Sequence, residues 1–185
     1  EVGTEQVWDY SGKMGLPRLI FINKMDRDNA DFFRSLSDIQ AKLGAKCFAV
    51  QLPLGSQKDF EGIVDLLTMK GYSGSALREI ELPSSVQDQA KSYREKLLEA
   101  VVETNDELLT KYLESEEISN EEILDAIKWA TIAGKLVPVF VGSGLGNIAI
   151  APLLDAICDY LPLPEERGTV IAMNPATGVR EEVEP

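Results

Sequence analysis

The chain has 185 residues, 44% hydrophobic and 26% charged, with 31 acidic against 18 basic side chains, no histidine and a formal charge of −13. Such a chain can bury a core as one medium domain or two small ones, and its acidic excess argues against a broad nucleic-acid surface, DNA included, because neutralising phosphates takes clustered Lys and Arg. No apolar run approaches the roughly 20 residues of a membrane span, and no basic segment followed by an apolar one opens the chain, so no membrane association is expected.

Residues 4–13 read as a short helix broken at Gly15-Leu16-Pro17, and 18–22 as a continuous apolar strand of the kind buried in a parallel sheet. Residues 30–43 carry Phe33, Leu36, Ile39 and Leu43 at helical spacing, with Gly44 as the stop. Residues 47–54 and 62–67 read as strands, 71–75 as a turn and 77–82 as the last strand of a small meander. Val86, Ala90, Tyr93, Leu97 and Val101 mark one stripe of an amphipathic helix. Two more helices are expected over 106–113 and 121–133, the second capped by Ser119 or Asn120. Residues 136–141 form a second apolar strand, 142–147 its loop and 150–161 the next helix, stopped by Pro162 and Pro164. Residues 169–183 have strand, turn and strand character.

Two strand, loop and helix units separated by a stretch of different texture imply an α/β, doubly wound sheet interrupted by a small α+β insertion. The expected division is 1–43 for the first part of the α/β domain, 44–131 for the insertion, 132–168 for the second part, and 169–185 for the start of a following β domain. Cys47 and Cys158 stand in apolar contexts at no metal-like spacing and are expected as buried free thiols in a reducing cytoplasm. Trp129 and Tyr93, at helical spacing with apolar neighbours, are expected in the core. Glu1 in place of Met suggests a piece of a longer protein.

Ligands of a doubly wound sheet bind outside the carboxyl ends of its strands, where both loops fall. After the first strand come Asn23, Lys24, Met25 and Asp26. A guanine base presents two adjacent donors on one edge and a keto oxygen beside them, and one fixed carboxylate can accept both donors as a charge-assisted pair. Asp26 is the candidate. Adenine lacks that donor pair, so a carboxylate left unpaired would reject it. Asn23 can bridge to the base and to neighbouring loops, the stem of Lys24 can lie over the base, and Met25 reads as packing. In the second loop, Ser143 and the Gly144 N–H can hold the keto oxygen and brace Asp26. A helix N-cap for Asp26 and an ordinary loop hydroxyl for Ser143 remain the bland alternatives.

The segments PRLIFINKMDRDNADFF (17–33), QLPLG (51–55), FEGIVDLL (60–67), LLTKYLE (108–114) and PLLDAICDYLP (152–162) resemble bacterial translation elongation factor G and its close relatives over nearly the whole chain. The resemblance implies part of a P-loop GTPase-type sheet, with Asn23-Lys24-Met25-Asp26 as the guanine-specificity motif. It makes Gly142-Ser143-Gly144-Leu145 the second guanine loop and the insertion the family's G′ subdomain. Gly144 departs from the alanine of the family pattern, and the insertion is short for the translocase, which favours an elongation-factor-G-like relative. A peptide-release or ribosome-protection GTPase is the alternative, as is a protein-docking module that holds no nucleotide on its own.

The phosphate loop needs G-x-x-x-x-G-K followed by Ser or Thr. Gly12-Lys13 and Gly134-Lys135 are followed by Met14 and Leu136 and lack the upstream glycine, so neither qualifies. The family's water-orienting histidine is likewise missing. By resemblance, these parts and the bound Mg²⁺ belong to the full-length parent, which makes the chain alone an inactive half of a GTP- and GDP-binding, ribosome-associated enzyme without catalytic or metal-ligating residues. Between Pro83 and Ala130 twelve acidic residues face five basic ones. That surface is expected to attract a basic partner, and the resemblance supplies the C-terminal domain of the ribosomal stalk protein, with Glu99, Glu103 and Glu107 as contacts.

Overall fold

The structure is a computed structural model that describes residues 2–43, 46–167 and 169–183. Its centre is a three-stranded parallel sheet in the order β1 (Ile20–Ile22), β7 (Val137–Val141), β2 (Cys47–Ala49). The middle strand, Val-Pro-Val-Phe-Val, is buried along its whole length, as a β-branched run with both faces covered should be. Phe21 lies beside Phe140 and Ile22 beside Val141, so β1 and β7 end together. That alignment sets the two following loops side by side.

Helices α1 (Val2–Lys13) and α2 (Phe32–Leu43) flank the first strand. α2 begins two residues later than its apolar spacing suggests because Asp31 supplies the cap, accepting the Arg34 N–H on Oδ1 at 3.0 Å. The expected glycine stop at 44 lies outside the described residues.

Residues 47–54, one strand by pattern, are two. β2 belongs to the parallel sheet, whereas β3 (Gln51–Leu54) opens an antiparallel sheet with β4 (Gly62–Asp65), β5 (Lys70–Ser73) and β6 (Arg78–Ile80). Val50 is the crossing point: its N–H donates to Val139 O at 3.1 Å and its carbonyl accepts the Leu66 N–H at 3.0 Å. The two sheets therefore divide at Val50, six residues beyond the expected boundary at 44. Residues 71–75 also differ from expectation. Gly71, Tyr72 and Ser73 are strand, because Gly71 lies against Ile80 and a Cβ there would sit 2.9 Å from that side chain. The turns fall at 66–69 and 74–77 instead.

Three helices follow, α3 (Ser84–Val102), α4 (Asp106–Leu113) and α5 (Asn120–Ile132), of which α3 packs on β2, α5 on β7 and α4 on α3. The α3 stripe faces inward as its period requires, with Ala90, Leu97 and Val101 buried. Of the two expected caps of α5 the structure uses Ser119, and as a capping box: Ser119 Oγ accepts the Glu122 N–H and Glu122 Oε2 accepts the Ser119 N–H at 2.9 Å. Arg94 ties α3 to the rest, donating to the carbonyls of Leu66 and Leu67 and to Asn120 Oδ1. α6 (Ile150–Tyr160) packs against α5, and β8 (Val170–Met173) pairs with β9 (Arg180–Val183) as the anticipated strand, turn and strand.

Two core assignments are corrected. Cys158 is exposed, because α6 buries Ala156 and Tyr160 and the residue between them lies on the opposite side of the helix; Cys47 is buried as expected, and burial pushes its thiol up to about 11. Trp129 is 50% exposed, two positions past buried Ile127, and Lys135 Nζ lies 4.2 Å from its ring. Tyr93 is half-buried against Phe33. Among the described residues no helix is long and apolar enough to cross a membrane.

Candidate guanine-nucleotide site

Asn23 to Asp26 begin where β1 ends, and the turn is shaped by its own side chains. Asn23 Oδ1 accepts the Lys24 N–H at 2.7 Å, and Lys24 takes a left-handed φ of 66°. Met25 then points down and is 1% exposed, filling the core as a packing residue should, while Asn23 and Lys24 stay exposed. The sharp turn inverts the strand's alternation and brings Asp26 to the sheet's edge.

The second loop meets it there. Gly142 joins the two loops, its N–H donating to Ile22 O at 3.1 Å and its carbonyl accepting the Met25 N–H at 3.3 Å. A Cβ at this position would lie 2.6 Å from Ile148 O and 2.8 Å from the Phe21 ring, so only glycine lets the backbones approach this closely. The loop closes on itself by reciprocal backbone bonds between Ser143 and Ile148, both 3.0 Å.

Ser143 is fully buried, and its Oγ–H donates to Asp26 Oδ1 at 2.6 Å. Ser143 Oγ in turn accepts the Gly146 N–H at 3.0 Å. This hydroxyl holds the Asp26 carboxyl below the usual carboxylate range, opposed by partial burial and assisted by Arg27, whose Nε lies 4.0 Å from Oδ2. Asp26 caps no helix: α2 starts six residues later and is capped by Asp31. Its carboxylate is ionised, oriented by one bond, and 26% exposed at the mouth of the two loops.

Gly144 differs from the expected arrangement. Its N–H donates to Asn23 Oδ1 at 2.9 Å and so binds the loops together instead of standing free for a keto oxygen. The cause is local: Asn23 Oδ1 already turns inward to accept from Lys24, and Gly144 is the next donor within reach. Leu145 projects outward and is 77% exposed. Asn23, Lys24, Asp26, Ser143 and Gly144 thus gather at one edge from positions 117 and 121 residues apart, with Leu145 on the rim. Sequence reasoning gave Gly142 and Gly146 no separate task. Two glycines spaced through a loop that follows a buried strand are the signal that points to them.

Glu99, Glu103 and Glu107 lie on the helical lobe. All three are exposed, but Glu103 is engaged by Lys46 Nζ at 2.6 Å, so part of the acidic surface is internally paired. Among the described residues no group of three or more His, Cys, Asp or Glu is placed to hold a metal ion.

A parallel α/β sheet whose strand ends present an Asn-Lys-x-Asp turn latched to a Ser-bearing loop defines an α/β domain of the P-loop GTPase type. The chain matches the family described as the elongation factor Tu GTP binding domain over residues 1–163, and it belongs to that family of translational GTPases. It is also similar to a crystal structure of a protein from Thermus thermophilus, at 34% identity and a TM-score of 0.83, over 96% of this chain. The match covers 28% of the Thermus chain.

Proposed function

We propose that this chain is the base-reading part of an elongation-factor-G-like GTPase that works on the ribosome in the cytoplasm, coupling GTP hydrolysis to translocation. The observation that carries the nucleotide reading is the Ser143–Asp26 bond at 2.6 Å, which holds an ionised carboxylate at the strand ends. Family membership supports a guanine nucleotide as the ligand.

In this reading Asp26 accepts the two adjacent donors of guanine, Ser143 fixes the carboxylate's orientation, and the Lys24 stem covers the base. Asn23 holds the two loops together through Gly144, and either that N–H or the outward loop around Leu145 turns to the keto oxygen on binding. The phosphates, the attacking water and Mg²⁺ are assigned to other parts of a longer protein. When bound, the ion neutralises charge on the phosphates. We assign 1–50 and 132–168 to the GTPase domain, 51–131 to a G′-type insertion that departs from the parallel sheet after Val50, and 169–185 to a following β domain. The acidic helices are proposed to meet the C-terminal domain of the ribosomal stalk protein.

Exchanging Asp26→Asn in the longer protein tests the nucleotide reading. The amide presents a donor where guanine also donates, whereas xanthine carries an oxygen there. Affinity for GTP should fall by roughly 2–4 kcal/mol and XTP should become the preferred ligand. An unchanged preference for GTP would remove Asp26 from the site.

A further inference from the structure

Helix α6 is apolar on two faces. Toward the body of the molecule it buries Ala156 and Tyr160. On the other side Leu154, Ile157, Cys158 and Leu161 follow one another at i, i+3, i+4 and i+7, the spacing of a single helix face. Leu154 is 57% exposed, Ile157 and Cys158 are exposed too, and Leu163 continues the exposed apolar surface just past the helix. The outer side of a surface helix ordinarily carries polar residues. Here the polar residues Asp155 and Asp159 only border the apolar stripe, which is left without a cover.

The β8–β9 hairpin carries a matching surface. Ile171 and Met173 stand two positions apart on β8 and so share one face, where they are 66% and 65% exposed. Their cross-strand partners on β9 are Glu182 and Arg180, which lie on that same face. Every residue of β9 is exposed. A two-stranded hairpin with no third strand or helix against it is marginal in water, so this one gains by being covered.

The path between the two surfaces is short and partly fixed. The stripe ends at Leu161, and two residues later a turn closes in which the Glu166 N–H donates to Leu163 O at 3.0 Å and the Leu163 N–H to Glu166 Oε2 at 2.9 Å. Glu166 Oε1 lies 3.6 Å from Lys128 Nζ on α5, the helix that packs against α6. Only residues 167–169 separate this turn from β8, roughly 14 Å of fully extended chain. A segment tied this closely is always present at high effective concentration. A second copy of the chain would instead have to approach against a charge of −13 on each molecule.

We propose that the β8–β9 hairpin folds back as the cover of the α6 stripe: Ile171 and Met173 dock on Leu154, Ile157 and Leu161, Arg180 meets Asp155 at the stripe's border, and Glu182 stays at the rim in water. α6 begins directly after the loop that Ser143 and Ile148 close. The docked hairpin therefore ties the chain beyond residue 169 to the helix that leaves the base-reading loop. The docking itself holds whether or not that loop reads guanine.

Cys158 stands within the stripe as an exposed free thiol, while Cys47 is buried, so disulfide trapping is the direct test. Met173→Cys is oxidised mildly in dilute solution against the native Cys158, with Ala172→Cys, on the opposite face of the same strand, as the control. We expect Met173→Cys to form an intramolecular disulfide about tenfold faster than Ala172→Cys, since only the docked face brings its Cβ within disulfide reach. Ile157→Glu should abolish that difference and Arg180→Glu should reduce it. Val7→Glu, at an exposed apolar position on α1, should leave it intact. In the chain with its native cysteines, Ile157→Glu should also speed amide hydrogen exchange in β8 and β9. Equal rates from the two faces, a difference that survives Ile157→Glu, or disulfides formed mainly between molecules, which would make a second copy the cover, would overturn the proposal.

Discussion

The hydroxyl of Ser143 donates to the carboxylate of Asp26 across 117 residues of chain, and the same oxygen accepts the Gly146 N–H. One buried atom therefore fixes both the loop that carries it and the carboxylate at the site. Ser143→Ala should remove both effects. The lost loop bond alone is worth about 1 kcal/mol net, measurable as a lower urea midpoint. The Asp26 part depends on pH. Its folded pKa is depressed, so its contribution is full above the unfolded value of 3.8 and fades as pH falls through the folded value. Wild type and Ser143→Ala should differ most near neutrality, and the gap should narrow in strong acid to the part that the Gly146 bond supplies. A gap that widens on acidification would contradict the assigned bond.

Two glycines of the second loop should respond oppositely to alanine. Gly142→Ala drives a Cβ to 2.6 Å from the Ile148 carbonyl, so about 1–3 kcal/mol of stability should be lost. At Gly144 the added carbon meets only the Asn23 amide at 3.6 Å, with no left-handed backbone to strain. Gly144→Ala should gain about 0.4–1 kcal/mol by restricting the unfolded chain. Chemical denaturation of the two variants checks both signs.

Glu122 lies in the capping box of α5 and also accepts from Lys111 at 2.5 Å, which with the Ser119 bonds holds its carboxyl down to about 2. A depressed carboxyl stabilises the fold above its unfolded value of 4.5 and stops doing so as pH falls through about 2. Glu122→Gln should therefore melt below wild type at pH 6 and alongside it at pH 2. Parallel melting curves at both values would rule out the ionic part of the box.

The chain by itself should bind GDP more weakly than about 1 μM, roughly −8 kcal/mol, since phosphate contacts supply most nucleotide affinity in such sites. Calorimetric titration measures this directly, and a tighter constant would place a phosphate cradle within these 185 residues.

For the acidic helices we expect weak binding of the stalk protein's C-terminal domain, lost between low and physiological salt. Glu99→Lys and Glu107→Lys should reduce it most cleanly, because Glu103→Lys also breaks the Lys46 pair. NMR shifts absent even at low salt would leave this surface as solvated charge.

Much of this architecture was legible in the sequence because it follows from period and caps. The α4 bounds, a cap at Ser119 and the burial of Met25 each depend on residues within one turn of each other. The errors arose where neighbours distant in sequence decide. Residues 47–54 read as one strand since nothing local announces that Val50 changes partners from Val139 to Leu66. Trp129 and Cys158 are apolar by composition, but their positions on α5 and α6 face away from the core. The motif at Asn23 to Asp26 was visible, whereas the Gly144 N–H being taken by Asn23 depended on a side-chain direction that no spacing encodes.

The crossing at Val50 has a mechanical consequence. One residue is clamped on its N–H by the central strand and on its C=O by the antiparallel sheet, so bending at this point has to break a backbone bond. A torque applied to the helical lobe is resisted by backbone bonds there, and it loads β7 directly. That strand ends at Val141, one residue before the loop that holds Asp26 in place. Strain on the helical lobe thus has a short backbone route, through Val50 and β7, to the edge that carries Asp26.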